Sequence, residues 1–479
     1  MKTTAPNSEN LEVRSEKRDQ DSSFSLPSSH FSPHPPALVP KLRFPEFRGA
    51  EGWEKSPLGE LMEITSSKRV HESEWTVSGV PFYRAREIVA LNNMDPISPL
   101  YISEELYREN AKRSGEIVEG DLLVTGVGSI GIPYLVKGND RFYFKDGNII
   151  WLKNRGTKLL GRFLHLLYGT QFVQSQIKTM AGVGTVGTYT IDNANRTSVV
   201  FPTDNAEQQN IAECLSSVDE LMAAQARKVD ALKTHKKGLL QNLFPAVKGS
   251  GSENLEMRNE KTEPDSSFSI QNSNFSIPPL RFPEFQNAGE WVQKKVGDVS
   301  EVLMCRRIFA EETNPSEGVP FYKIGTLGGI PDAFISREKF EDYRSRYNYP
   351  RTGEVLITCS GTVGKCLPFD GKDSYFQDSN IVWLNNPNGD VSNEFLLMLL
   401  SNVDWGMLNS TTITRIYGPD LRGLAIKYPE DKSEQHRIAS CLSSLDALIT
   451  AETQKLDALK THKRGLMQQL FPSPEEATP

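Results

Sequence analysis

The chain is written twice. LRFPEF at residues 42–47 recurs at 280–285, and GVPFY from Gly79 recurs from Gly318. GDLLVTGVGSIG from Gly120 matches GEVLITCSGTVG from Gly353, and DGNIIWL from Asp146 matches DSNIVWL from Asp378. The closest copies, 207–245 and 434–472, are identical at 25 of 39 positions, while the stretches between the anchors diverge. Similarity at a fixed offset has to be settled before any choice of fold, because each copy must form the same supersecondary unit. The order predicted is globular part, long helix, globular part, long helix.

The bulk properties fit that plan. A length of 479 residues allows two to four domains. No apolar run approaches the ~18 residues of a membrane span, the longest being the short stretch 395–400. The first residues lack an apolar signal core. Five cysteines without a CxxC pair suggest neither a disulfide framework nor a zinc site, so the expectation is a reduced, cytoplasmic protein. A formal charge of -7 speaks against a freestanding, nonspecific nucleic-acid binder but leaves room for a local basic groove. Composition places a disordered Ser/Pro-rich tail at 1–40, a flexible linker at 246–279 and a short tail at 473–479, with globular parts at 41–203 and 280–430 and helices at 204–245 and 431–472.

Each globular part mixes short apolar β-type runs with helical spacing, so the expected class is α+β. Residues 121–125 and 130–136 read as a hairpin about a Gly-rich turn, and 149–152 as a further strand. Residues 161–177 carry Phe163, Leu164 and Leu167 at helical spacing, matched by Phe395, Leu396 and Leu399.

The long helices carry the sharpest pattern. Asp204 with Glu207, and Asp431 with Glu434, have the spacing of a capping box, and each helix ends at Phe-Pro. Apolar residues fall in two heptad rows: Ile211, Leu215, Val218, Met222, Val229, Leu232, Leu239 and Leu243 in the first copy, and Ile438, Leu442, Leu445, Ile449, Leu456, Leu459, Leu466 and Leu470 in the second. Two such rows form a coiled-coil seam, interrupted at the equivalent positions Gln225 and Glu452. These polar residues either fix the register or occupy a partly solvated site. Near-identical helices separated by a whole globular part are expected to pair antiparallel, giving a pseudo-twofold molecule with its globular parts at opposite ends.

Motifs for catalysis are present only in fragments. Gly126, Gly128 and Gly131, and again Gly182, Gly184 and Gly187, match GxGxxG, but no helix follows to hold a pyrophosphate, and a tight turn explains the glycines. SGTVGKC around Gly364 and Lys365 lacks the upstream glycine and the hydroxyl of a phosphate-binding loop. Carboxylates and lysines do not cluster as a nuclease site requires. Asp146 with Asn148, and Asp378 with Asn380, suit turn hydrogen bonding. His165 aligns with Leu397, and His235 and His462 have no partner at motif spacing. No catalytic or metal-binding residue is assigned.

Recognition remains. Basic residues gather where the halves differ: Lys68, Arg69, Arg84, Arg86, Lys112 and Arg113 in one, and Arg306, Arg307, Lys323, Arg344, Arg346 and Arg415 in the other. Arginine and lysine serve both phosphate and guanine contacts, although any single one can be ordinary solvated surface. The loop 182–189, with Thr185, Thr188 and Tyr189, and its counterpart 411–417, with Thr412, Thr414, Arg415 and Tyr417, offer hydroxyls and an aromatic for DNA contacts or serve as structural turns.

In this layout the chain resembles the specificity subunit of type I restriction-modification enzymes. The resemblance is carried by FPEF at the start of each globular part, by the GDLL and GEVL strands with their Gly turns, by EQQNIAECLSSVDELM and EQHRIASCLSSLDALI, and by KKGLLQNLFP and KRGLMQQLFP. It covers nearly the whole chain except tail and linker. It implies two target recognition domains, each reading half of a split, asymmetric double-stranded DNA site. It implies paired helices that set the gap and bind two methyltransferase subunits, with restriction and translocase subunits joining through the complex. It places no catalytic site or cofactor in this chain, S-adenosylmethionine and ATP with magnesium belonging to the partners. Two departures are VVFPTDNAEQ and IKYPEDKSEQ, where the family has a proline-rich strand before each helix, and the repeated Ser-rich tail. The competing readings are a coiled-coil adaptor with peptide-binding modules and a self-contained DNA methyltransferase, the latter without an NPPF or DPPY motif.

Overall fold

The shared strings become the same elements in both halves. The computed structural model describes residues 38–93, 95–145, 147–156, 158–182, 187–245, 277–405 and 415–472. Nearly all of the expected tails and linker therefore lie outside the described residues. The chain divides into two units, Met1–Glu213 with Leu466–Pro479, and Cys214–Gly465. The class is α+β.

In the first unit a four-stranded sheet has the order Glu63–Thr65, Ile149–Lys153, Leu122–Thr125, Pro133–Leu135, all neighbours antiparallel. The second unit repeats it with Glu301–Leu303, Ile381–Asn385, Val355–Thr358 and Cys366–Pro368. The hairpin expected from sequence is the edge of this sheet. A second sheet holds the VPFY strand, Val80–Tyr83 or Val319–Tyr322, running parallel to Tyr143–Phe144 or Tyr375–Phe376. The glycine before VPFY is required: Gly79 and Gly318 have φ of 130° and 114°, and a Cβ at either would collide with the carbonyl oxygen of Ile102 or Ile335. The helix expected over 161–177 is two, Gly161–Tyr168 and Gln171–Ala181, because Thr170 caps a new start with its hydroxyl on the Val173 N–H.

The long helices span Asn205–Leu243 and Lys432–Leu470. Asp204 and Asp431 cap them through the N–H groups of Ala206 and Ser433, both at 2.8 Å. The expected capping box is a correction, because its glutamates are engaged elsewhere. Glu207, buried, takes Arg43 through two bonds of 2.8 and 2.7 Å and the Trp53 indole at 3.2 Å. Glu434 takes Arg281 at 2.7 and 2.6 Å and Trp291 at 3.3 Å. The next residue is equally occupied. Gln208 donates to the carbonyls of Lys158 and Pro202 and accepts from Leu160 N–H, and Gln435 does the same with Asp390, Pro429 and Ser392. These buried amides fix the turn at Pro202 and Pro429.

LRFPEF thereby acquires a physical role. Its arginine neutralises a buried helix-start glutamate, and its leucine N–H caps a helix end: Leu42 donates to Gln469 O at 2.9 Å and Leu280 to Asn242 O at 2.8 Å. The Phe of each terminal Phe-Pro completes an aromatic trio, Trp53, Phe163 and Phe471 in the first unit and Trp291, Phe395 and Phe244 in the second. Each globular part is closed by the start of its own helix and the end of the helix from the other repeat.

Within the second unit the two long helices contact each other, and their pairs run in opposite directions along the chain: Lys463 to Asp219 at 2.7 Å, Gln225 to Glu452 at 2.6 Å and Lys236 to Asp446 at 2.5 Å. Ile211, Leu215, Val218, Val229, Leu243, Ile438, Leu442 and Leu470 are buried, and Met222, Leu232, Leu239, Leu445, Ile449, Leu456, Leu459 and Leu466 are half-buried. Several of these serve the globular core rather than the seam, since Leu243, Ile438 and Leu442 belong to one cluster with Trp291, Phe395 and Leu396. Among the described residues no helix is long and apolar enough to cross a membrane.

Candidate nucleic-acid interface

The loops singled out separately in the sequence are joined by hydrogen bonds into one rim in each unit. In the first, Ser66 Oγ donates to Ile149 O and accepts from Gly147 N–H, Ser67 Oγ donates to Phe144 O, and Asn148 O accepts from Gly126 N–H. Gly126 O in turn accepts from Tyr189 N–H at 2.9 Å. In the second, Asn380 O accepts from Cys359 N–H, Cys359 O accepts from Ile416 N–H, and Ser360 Oγ bonds Asn380 Oδ1 at 2.8 Å. The basic loop, the Asp-x-Asn turn, the Gly turn and the loop before the short helix therefore sit side by side.

The Gly turns are hairpin ends. Gly128 and Gly131, with Gly361 and Gly364, have φ between 67° and 79°, and Thr125 and Thr358 cross-brace the loops with their hydroxyls. Lys365 Nζ is spent on the Leu327 carbonyl at 2.5 Å, so it does not face a phosphate cradle. In the Asp-x-Asn turn, Gly147 has φ 70° and its counterpart Ser379 holds φ 54°, a left-handed conformation costly for serine. Asp146 lies outside the described residues, as do Thr185, Thr412 and Thr414.

Lys68 and Arg69 occupy the same place as Arg306 and Arg307, all four exposed. The backbone beneath them is anchored by a buried tyrosine in both units. Tyr143 Oη accepts from Lys68 N–H at 2.8 Å and donates to Lys68 O at 3.1 Å, and Tyr375 Oη donates to Arg306 O at 3.1 Å. These basic residues are therefore common to the halves, which corrects the expectation that they mark where the halves differ. Arg307 also pairs with Asp378 at 2.8 Å, and Arg306 lies over the Tyr347 ring.

Other candidates are less available. Arg84 and Arg86 converge on buried Glu87 at 2.7 and 2.6 Å; burial raises that carboxyl's pKa, but the hydrogen bonds from both arginines outweigh it and hold the group below its usual value. Lys323, at the position of Arg84, pairs with Asp332. Arg113 pairs with Glu109 beside Lys112 on the helix Glu104–Ser114, while Arg344 and Arg346, on the helix Arg337–Arg346, pair with Asp373 and Asp342.

Tyr189 is a correction. It is 1% exposed and its hydroxyl bonds Thr197 at 2.7 Å, so the ring supports the loop and cannot contact a ligand. Its structural counterpart is Ile416, 2% exposed, whereas Tyr417 is 60% exposed and lies under Arg415. Matching the two tyrosines by type shifts the register by one residue, which in extended chain turns a side chain to the other face. Thr188 is half-buried beside Tyr189.

Among the described residues no three His, Cys, Asp or Glu side chains converge as a metal site. Burial pushes the thiols of Cys305 and Cys366 up to about 12 and that of Cys359 up to about 11, so none is a poised thiolate. The arrangement offers two basic rims.

Comparison with known proteins gives this geometry a family. A Haemophilus influenzae protein named as a type I restriction enzyme specificity subunit is 45% identical over 162 residues, which make up 34% of this chain and 42% of that protein. The MjaX specificity subunit of Methanocaldococcus jannaschii is 24% identical over 198 residues, 40% of this chain and 46% of that one. The chain thus matches less than half the length of these two relatives. The type I restriction-modification S subunit from M. genitalium shares the fold, with a TM-score of 0.55 at 14% identity over 91% of this chain and 100% of that one. The family model for the type I restriction modification DNA specificity domain matches residues 50–234 and again 288–461, one match on each copy of the repeat. The chain belongs to the family of type I restriction-modification specificity subunits.

Proposed function

We propose that the two globular parts, 41–203 and 280–430, are target recognition domains that each read one half of a bipartite, asymmetric double-stranded DNA site. The long helices pair as an antiparallel coiled coil about a pseudo-twofold axis and set the unread gap. The observation that carries this reading is the pair of rims: two copies of one loop frame, each holding a basic dipeptide over a buried tyrosine and each bearing different side chains around it. Basic residues common to both rims suit phosphate contacts, which position without reading sequence, and the divergent side chains suit base contacts. A local basic rim supplies the attraction that a net charge of -7 does not.

Two methyltransferase subunits bind along the helices, one per repeat, and bring S-adenosylmethionine; restriction and translocase subunits bring ATP and magnesium through the complex. The helices offer each partner the same exposed leucine, Leu221 at 58% and Leu448 at 42% exposure, at equivalent positions. Gln225 and Glu452 are also equivalent and touch each other, which is what a pseudo-twofold axis between them requires.

The test is to express the chain with a methyltransferase subunit and map methylation by methylation-sensitive sequencing. A split site with a fixed gap is expected. Matched four-residue insertions beside Gln225 and Glu452 would lengthen the rod by ~6 Å at 1.5 Å per residue, about two base-pair rises of 3.4 Å. The gap should grow accordingly with both half-sites unchanged. An unchanged gap would overturn the ruler, and methylation by the chain alone, or none that depends on sequence, would overturn the recognition reading.

A further inference from the structure

Just beyond the basic dipeptide, both rims fix one residue from two sides and then vary it. Upstream, Tyr143 or Tyr375 holds the dipeptide backbone. Val70 and Ile308, 6% and 8% exposed, then anchor the chain in the core. Downstream, His71 N–H donates to Glu74 Oε2 at 2.6 Å, and Phe309 N–H donates to Glu312 Oε2 at 2.7 Å. The reciprocal backbone bonds, Glu74 N–H to His71 O and Glu312 N–H to Phe309 O, are both 3.0 Å. Each residue therefore leads the same locked turn, Glu72–Glu74 or Ala310–Glu312.

The backbone is the same in the two units and the side chain is not. His71 is exposed, and Phe309 is 54% exposed. Nothing in the fold of either unit requires an imidazole at one place and a phenyl ring at the other. A ring displayed in water beside Arg306 and Arg307 forgoes the ~25 cal/mol per Å² that burial would return. A rigid turn also loses little entropy when its side chain docks, because backbone and flanking residues are already ordered. Of the acids in these turns, Glu74 and Glu312 close them and Glu312 is also paired with Lys339, while Glu72 and Glu311 are exposed.

Resting on the recognition reading above, we propose that positions 71 and 309 are equivalent base-reading positions, one for each half-site. Phe309 makes an apolar contact in the major groove, where the thymine methyl group is the available apolar feature. His71 makes a hydrogen bond to a base edge, its imidazole offering both a donor and an acceptor. The arginines and lysine before them contact phosphate and set the register, so the two half-sites differ at this position through one side chain on a common frame.

The experiment uses the full chain assembled with its methyltransferase subunit and a DNA library randomised in both half-sites. Phe309→Ala is expected to relax one base pair of the second half-site by about tenfold or more, in the range a single lost base contact gives, and to leave the first half-site intact. Phe309→Leu keeps an apolar tip and should keep the preference. His71→Phe should alter one position of the first half-site alone. Denaturation midpoints of the variants should equal that of the parent, since neither side chain is buried. Unaltered half-sites in both Phe309→Ala and His71→Phe would overturn the assignment, as would a uniform loss of methylation at every sequence with no base relaxed. Failure of the underlying reading is separate and visible in the parent, which would then show no split site.

Discussion

The two units agree where they touch the helices and disagree where they face outward. At the helix starts, Arg43, Glu207 and Trp53 repeat as Arg281, Glu434 and Trp291, residue for residue. At the start of the helices Glu104–Ser114 and Arg337–Arg346 the pairing is inverted: Glu104 holds Arg141 in the first unit, and Arg337 holds Asp373 at the same place in the second. Both versions start a helix on a serine cap, Ser103 or Ser336. A buried charge cannot change sign without its partner and its surroundings changing too, whereas an exposed pair can be exchanged when both members change together. The interior is thus held to one solution and the surface is free to drift.

That contrast is tested hardest at the helix start. Arg43→Ala leaves Glu207 buried with Trp53 as its one remaining donor among the described residues, and breaking a buried ion pair from one side costs about 3–5 kcal/mol. Arg281→Ala should cost the second unit a similar amount. Urea denaturation monitored by tryptophan fluorescence measures both, and a loss under about 1 kcal/mol at either site would mean that water reaches the carboxylate and that the frame is softer than its burial suggests.

Much of the frame is legible in the sequence because it is written twice. The hairpin at 122–135, the helix ends at Phe-Pro and the heptad rows all follow from local spacing. What escaped is long-range. Glu207 three residues after Asp204 has the spacing of a capping box, and no local pattern shows that Arg43 takes it from 164 residues away. The identical Glu-Gln pair in both copies was the available signal, since surface residues of a capping box need not be kept as a pair with the following glutamine. The rim was half legible: its basic dipeptides and Gly turns stood out by composition, but their adjacency depends on bonds such as Gly126 to Asn148 and Tyr189 to Gly126. The burial of Tyr189 is not legible, because residue type pairs it with Tyr417 across the repeat whereas the backbone register pairs it with Ile416.

The middle of the helix pair is where the repeat meets itself, and a smaller effect is expected there. Glu452 accepts from Gln225 at 2.6 Å and from Lys228 and Lys455 at 3.0 Å each. The Gln225 hydrogen bond first, then those of Lys455 and Lys228, hold its carboxyl down to about 2 from an ordinary 4.5. A carboxyl with a lowered folded-state pKa stabilises the fold above its unfolded value and loses that contribution as pH falls through the folded one. Glu452→Gln should therefore destabilise the protein at neutral pH, with the deficit relative to the parent shrinking as pH falls from about 4.5 toward 2. A constant deficit across that window would show that the charge of Glu452 is not what joins the helices.

The smallest effect should come from the inverted surface pair, and it decides whether the two units are interchangeable at their faces. Glu104→Arg sets two arginines against each other and should lower the denaturation midpoint by a fraction of what Arg43→Ala does, because the pair is exposed and screened. Adding Arg141→Asp restores an attractive pair in the polarity of the second unit and should recover most of the loss. Recovery should stop short of complete, because Glu104 stands at the first position of its helix, where a carboxylate complements the backbone dipole and an arginine opposes it. The second unit already tolerates that arrangement, with Arg337 at the first helical position. The reverse exchange there, Arg337→Glu with Asp373→Arg, is accordingly expected to end slightly above the parent, provided Arg344, which also bonds Asp373 at 3.1 Å, is not left facing a like charge. Including Arg344→Glu removes that conflict. A triple variant no more stable than Arg337→Glu alone would show that the faces do not obey the same pairwise rule and that the drift between the units reaches deeper than their surface.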